Sequence, residues 1–381
     1  MCLNTMHVIK IKKCVDNKIL QWFFRRSFVR CVDVLQLSPY HWTQVLRYHW
    51  TQVLRYPNVY WSNSQRSFHS KKIQRPVGGG RPLVNQDDIF KCNNWDNVEW
   101  DAEQERSAKE ITENQWKSKL SQEKIDEYED EAGSHWDTFY GIHQNRFFKD
   151  RNWLFTEFPE LLPPPDEASG NKPEETCVSA VNGSSFNLLE VGCGVGNTVF
   201  PVLKTNQNPN LKIYCCDFSP TAIEIVKNHP DYNQDRCHAF VCDISDEMST
   251  IPISDNSLDI ITIIFVLSSI SPEKMQYVVN RLTRYLKPGG TILLRDYGRY
   301  DLAQLRFKQG RCLSENFYVR GDGTRAYFFT QDELKQIFEK AGLVEKQNLI
   351  DRRLQVNRGK QLKMYRVWMQ CKYVKPCSST N

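Results

Sequence analysis

The chain lacks most of the marks of a secreted, membrane-embedded or metal-stapled protein. No apolar run approaches the roughly 20 residues of a membrane span. The longest, "IITIIFVL" at 260–267, has the length of a buried strand. The 13 cysteines are scattered and no C-x-x-C pair occurs. That speaks against a zinc site and a disulfide framework, and for a reducing compartment. No secretory signal is visible, so the expected setting is intracellular. Acids are scarce at the start: residues 1–80 carry 13 Lys/Arg against only Asp16 and Asp33, a net of +11. The body, 81–290, carries −15 and the last stretch, 291–381, +9, within a whole-chain charge of +5. A basic C-terminal quarter on an acidic body points to a polyanionic partner.

Residues 1–84 read as a basic extension. They contain a tandem octapeptide, "HWTQVLRY" at 41–48 and 49–56, and two copies are too few for a solenoid. "SNSQRSFHSKKIQRPVGGGRP" after it is rich in Arg and Ser and free of acids. It has the composition of a mitochondrial transit peptide or of a disordered basic arm. The first reading places the protein in the mitochondrial matrix, the second in the cytoplasm, and the basic charge favours the matrix.

Residues 85–161 form a charged, helical region. Within it Trp136, Tyr140 and His143 fall at i, i+4 and i+7, one face of a helix, a spacing that reads first as core. The Pro/Gly/Ser-rich stretch 162–185 reads as a linker. From 186 to 375 strand and helix signals alternate. Strands are expected at 186–191, 211–216, 237–242, 258–266 and 290–295, with two more at 343–350 and 363–371. Helices are expected at 196–205, 219–228, 272–286 and 331–341, the third opened by Ser271-Pro272 and closed by "KPGG". This order predicts an α/β fold with a mostly parallel sheet, helices on both faces, and ligands at the carboxyl ends of the strands.

The stretch "LLEVGCGVGNTVFPVL" (188–203) puts a glycine turn between the first of these strands and its helix. A dinucleotide site needs G-x-G-x-x-G, but here the glycines are Gly192, Gly194 and Gly196, and Asn197 takes the third position. No Gly-Lys-Ser/Thr follows, so a P-loop is also missing. A nucleoside with an amino-acid tail fits better than a pyrophosphate. Asp217, ending the second strand, can accept from both ribose hydroxyls. Asp243, ending the third, is placed for an adenine amino group. Glu190 before the glycines can support the turn or a ligand ammonium. Acids after three successive strands are the layout of a class I S-adenosylmethionine-dependent methyltransferase, with a Rossmann-like, seven-stranded sheet and an N-terminal helical extension.

Particular segments go further. "NNWDNVEW", "WDTFYGIHQNRFFKDRNWLFTEFPEL", "CCDFSPTAIEIVK", "IIFVLSSISPEKM", "LLRDYGRYD" and "NFYVRGDGTRAYFF" resemble the tRNA N3-methylcytidine methyltransferases of the methyltransferase-like family. The resemblance covers roughly residues 85–375. It implies S-adenosylmethionine as cofactor, touched by Trp136 and Tyr140 of the aromatic helix and by Gly192, Asp217, Asp243, Ile244 and Ile264, with His143 left as packing. It implies tRNA as substrate, cytidine 32 of the anticodon loop as target, and a protein adaptor or an aminoacyl-tRNA synthetase as a partner of some members.

N3 of cytosine carries an in-plane lone pair, so it needs alignment and dehydration rather than a base. The product is cationic, and Asp296 is the expected carboxylate to steady it. The segment 296–329 is inserted after the fifth strand. Its Tyr297, Arg299, Arg306, Arg320 and Arg325 combine flat faces with charge, as a loop nucleotide requires. Phe317 and Phe328 are expected to be structural. No metal is expected. The other readings are a methyltransferase of proteins or small molecules, which predicts a smaller insertion, and a non-catalytic RNA-binding module, which predicts a damaged glycine turn.

Overall fold

Cap chemistry and strand pairing account for the elements. The computed structural model describes residues 80–163 and 185–377. The octapeptide repeat, almost all of the basic extension and the interior of the connector lie outside the described residues. A capping box opens α1 (Ala102–Trp116): Gln104 N donates to Asp101 Oδ1 at 2.7 Å, and Asp101 N donates back to Gln104 at 3.1 Å. It is followed by α2 (Gln122–Asp130) and by α3 (Ala132–His143), the aromatic helix. In the body, α4 (Val199–Thr205) follows the glycine turn, three residues later than expected. Ser219 caps α5 (Pro220–Lys227), accepting from Ala222 N at 3.1 Å. Proline opens α6 (Pro272–Tyr285), and a second capping box, Thr330 with Glu333, opens α7 (Gln331–Lys340).

The strands are β1 (Asn94–Asp96), β2 (Phe186–Val191), β3 (Leu211–Asp217), β4 (Cys237–Val241), β5 (Leu258–Ile264), β6 (Leu286–Tyr297), β7 (Cys312–Ser314), β8 (Phe317–Val319), β9 (Arg325–Tyr327), β10 (Val344–Asn357) and β11 (Leu362–Val374). The main sheet has eight strands in the order β1-β10-β11-β6-β5-β2-β3-β4. From β6 to β4 all pairs are parallel, and β11, β10 and β1 continue antiparallel. The sheet therefore has one strand more than the seven expected. That strand is the short β1, where Trp95 pairs with Leu354 and packs with Leu354 and Val356.

"KPGG" does not end the helix with a loop. Leu286 enters β6 directly after Tyr285, and the pairing with β5 slips between Leu286–Leu258 and Thr291–Ile260. The four residues bulge, and Gly290 lies where a Cβ would come 2.9 Å from Leu258 O.

Every residue of β5 is buried, as a central parallel strand requires. On one face Ile261, Ile263, Leu294 and Met369 pack under Val278 and Leu282 of α6 and Leu334 and Phe338 of α7. On the other, Leu188, Ile213, Ile260 and Leu293 meet Val202, Val226 and the turn carrying Leu154, Phe158 and Leu161. Burial of such side chains stabilises by about 1.5–3 kcal/mol each.

The insertion forms a second, antiparallel sheet, β7-β8-β9. Its own core holds Tyr318 and Phe328, with Phe307 stacked on Tyr318 at 4.7 Å. Phe317 is buried on its other face, with Ile125 and Tyr128 of α2. Gln115 of α1 donates to Phe307 O at 2.9 Å, so the N-terminal helices are fastened to the insertion.

Candidate active site

The glycine turn is a backbone solution to a space problem. Gly192 has φ +60°, and a Cβ there would lie 2.4 Å from a methyl of Val266. Gly194 has φ +54°, and its Cβ would meet the Tyr140 hydroxyl at 2.7 Å. Both the left-handed backbone and the close approach exclude a side chain. Asp217 ties the turn to the end of β3: Gly194 N donates to its Oδ2 at 2.9 Å and Ser219 N to its Oδ1 at 3.0 Å.

The aromatic helix closes over this turn. Asp137 of α3 accepts from Ser219 Oγ at 2.6 Å and from Thr221 N at 3.0 Å, docking the helix on the start of α5. The donors, Ser219 first, hold its carboxyl below the ordinary aspartate value. Trp136 stacks on Tyr140 at 5.8 Å, while His143 packs on Phe139 and Phe147 at 4.6 and 4.9 Å.

Beneath lies a cavity of about 320 Å³ at the carboxyl ends of β2, β3, β4 and β5. Trp136, Tyr140, Gly192, Asp217, Asp243, Ile244 and, from the insertion, Arg325 line it. One oxygen of Asp243 accepts from Ser245 N and Oγ at 2.8 and 2.7 Å. Residues that sequence reasoning missed complete the wall: Phe265 and Val266 after β5, Lys274 on α6 and Glu129 on α2. Glu129 joins three elements, because Lys274 lies at 2.6 Å and Arg325 pairs with its other oxygen. Despite the opposing effect of burial, these two cations hold its carboxyl below the usual range. Lys274 was legible only as a first-turn residue of its helix.

Several predicted residues stand elsewhere. Ile264 is buried in the core; strand alternation turns it from the cavity, and its neighbour Phe265 reaches the wall instead. Gly194 and Gly196 shape the turn without lining the cavity, Gly196 facing Phe200. Glu190 is 1% exposed and sits behind the turn, 3.6 Å from Arg151, with neither oxygen hydrogen-bonded. Asp296 is fully buried: Ser268 N donates to its Oδ2 at 2.9 Å and Tyr297 N to its Oδ1 at 2.8 Å. It fastens the β5–α6 turn to the end of β6 and lies outside the lining of the cavity. Arg299 is paired within the fold. Glu333 of the α7 capping box engages it at 2.8 and 3.0 Å, so its charge is spent within the fold. Arg325 lines the cavity but is paired with Glu129. Arg320 lies over the Tyr297 ring at 5.5 Å, and Arg306 is exposed.

Burial pushes the carboxyls of Glu190, Asp217 and Asp296 up, to about 7, 6 and 6. The folded protein therefore holds more protons than the unfolded chain between about pH 4 and pH 7, and stability falls as pH rises through that window. Glu129 and Asp137 are held low; their opposing contribution falls near the ordinary carboxylate values, at the acid end of the window, and does not reverse the sign above about pH 5. The ligand-free protein should melt several degrees higher at about pH 5 than at about pH 7.5. A melting temperature that climbs steadily across this interval would contradict the buried-carboxylate account.

Among the described residues no group of His, Cys, Asp and Glu is arranged to hold a metal ion, and no helix is long and apolar enough to cross a membrane.

A parallel sheet with this turn, this cavity and acids at three strand ends is that of a class I S-adenosylmethionine-dependent methyltransferase. Residues 189–292 match the family model described as a methyltransferase domain. The chain is 58% identical over 341 residues to tRNA N(3)-cytidine methyltransferase METTL2 of Danio rerio, covering 85% of this chain and 96% of that one. It is 50% identical over 361 residues to METTL2B of Homo sapiens, covering 81% and 96%. To trm140 of Schizosaccharomyces pombe it is 45% identical over 297 residues, covering 78% and 91%. The chain belongs to the METTL2 family of tRNA N(3)-cytidine methyltransferases.

The residues present fit S-adenosylmethionine. A side chain at Gly192 would collide with the cavity wall, leaving backbone for a ligand to approach. Asp217 and Asp243 offer acceptors for hydroxyl and amino donors, and the carboxylates suit a cationic ligand.

Proposed function

We propose that the protein methylates N3 of cytidine 32 in the anticodon loop of tRNA. When bound, S-adenosylmethionine supplies a methyl group carried on a sulfonium sulfur. In this reading Asp217 accepts from its ribose hydroxyls and Asp243 from its adenine amino group. Ile244 and Gly192 bound the nucleoside, and Trp136 and Tyr140 cover it. N3 offers a lone pair in the ring plane and has no proton to lose near neutral pH, so the residues around it align the base and exclude water. N3 is hidden in a Watson–Crick pair, which a loop target avoids.

The observation that supports this reading most is the continuity between cavity and insertion. Phe265 on the cavity wall meets Tyr297 at 5.1 Å, and Tyr297 lies under Arg320. Arg320 Nη1 donates to Arg325 O at 3.0 Å and Thr324 Oγ1 at 3.3 Å, neutral acceptors that fix the guanidinium while its positive charge stays suited to a phosphate. Arg320→Ala should weaken tRNA binding by about 5- to 10-fold and leave cofactor affinity unchanged. Equal binding by the two proteins, measured by fluorescence anisotropy at fixed salt, would remove Arg320 from the phosphate track.

The target position is tested with an anticodon stem-loop in which cytidine 32 is replaced by uridine. Methylation should disappear, and persistence at another cytidine would relocate the target. Activity that appears only when cell extract is added would point to an adaptor such as an aminoacyl-tRNA synthetase.

A further inference from the structure

We infer that Phe265 is the stacking platform for the acceptor base: its ring holds the target cytosine flat with N3 toward the cofactor cavity. The inference rests on the proposed function and adds the residue that positions the base.

The first observation is backbone strain. Phe265 has φ +60°, a left-handed region that bulky residues adopt only under strain. A glycine would occupy the same backbone without that strain. The second is that the strained residue is held from both sides. Phe265 N donates to Arg295 O at 2.7 Å, and Ser269 Oγ closes the turn on Val266 O at 2.7 Å. Asp296, with its two backbone donors Ser268 and Tyr297, fixes that turn against β6. The ring is thus presented by a rigid frame before any ligand arrives, as positioning requires.

The third observation is place. Phe265 belongs to the cavity wall and also packs against the core cluster that contains Ile264. Beyond it lies Tyr297, 5.1 Å away, and then Arg320. The ring therefore stands at the junction between the nucleoside cavity and the aromatic–arginine segment. The fourth is chemistry. On methylation the N3 lone pair forms the new N–C bond as the methyl carbon–sulfur bond breaks and its electron pair stays on sulfur; no proton leaves, and the positive charge passes from the sulfonium to the base. No free carboxylate is available for that charge from Asp296, which is committed to backbone N–H groups. The negative face of an aromatic ring attracts a cation more than a neutral base, so stacking on Phe265 strengthens as charge develops.

The test uses the full chain with Phe265→Leu, Phe265→Tyr and Phe265→Gly. The readouts are cofactor affinity by calorimetry, melting temperature, kcat/KM on tRNA, and fluorescence of an anticodon stem-loop carrying pyrrolocytidine at the target. Phe265→Leu should lose about 10- to 100-fold in kcat/KM, the range expected for a lost base–aromatic stack, with cofactor affinity within about twofold. Phe265→Tyr should restore kcat/KM. Phe265→Gly should be as inactive as Phe265→Leu, with the relieved backbone offsetting part of the packing that the ring gives up. Quenching of pyrrolocytidine should follow the ring. A Phe265→Leu protein as active as one that has Phe265 would overturn the inference. So would losses of activity that parallel losses of cofactor affinity, which would make the ring part of the cofactor wall alone. If the unaltered protein forms no N3-methylcytidine, the proposed function fails instead, and the quenching still reads stacking by itself.

Discussion

Replacing Asp217 with alanine should lower the affinity for S-adenosylmethionine by about 100-fold or more, the loss expected when two charge-assisted hydrogen bonds go. The effect has two sources. The carboxylate is the acceptor at the end of β3 in the cavity wall, and it also holds the glycine turn through Gly194 N and the start of α5 through Ser219 N. Alanine leaves both N–H groups without their acceptor in a site only 5% exposed at Asp217. Asparagine keeps one acceptor but turns an N–H₂ toward the second donor, so Asp217→Asn should fall between the two. Calorimetry on folded protein reads this directly. Unchanged affinity in Asp217→Ala would displace the cofactor from this cavity.

The largest expected loss of stability comes from Asp351→Ala. Asp351 is fully buried in β10 and receives Arg295 of β6 and Arg353 of its own strand, the latter at 2.9 Å. Arg353 keeps Glu157 at 3.0 Å, but Arg295, buried beside Gln370, is left with no carboxylate. Breaking a buried pair from one side costs about 3–5 kcal/mol, which lowers a melting temperature by about 10 °C in a domain of this size. The paired replacement Arg295→Met with Asp351→Leu should recover most of the loss, because it removes both charges together. A shift of only a degree or two in Asp351→Ala would mean that Arg295 has solvent where the structure has Trp153 and Trp368 around it.

How much was legible follows from how local each signal is. The glycine turn and Asp217 lie within a short stretch, and strand-turn-helix order alone places them at one sheet end. Asp137 was invisible because its partners, Ser219 and Thr221, are more than 80 residues away. Asp296 was placed in the right neighbourhood and given the wrong direction. β6 runs on to Tyr297 and pairs Asp296 with Met369, so alternation turns the carboxylate into the core and Tyr297 to the opposite face. Arg299 reads as a free cation until Glu333 is brought against it. β1 is three residues with one apolar side chain, and only its partner β10 makes it a strand. Phe265 lies in an apolar run that says strand; its left-handed backbone has no signature in residue type, because it is held by the hydrogen bond that Phe265 N donates to Arg295 O, distant in sequence.

The central claim is the reaction. Its most direct test is nucleoside mass spectrometry of total tRNA incubated with the purified full-length protein and S-adenosylmethionine, alone and with cell extract. The account predicts a rise in N3-methylcytidine that Asp217→Ala abolishes. No rise in either condition, with the cofactor bound, would contradict it.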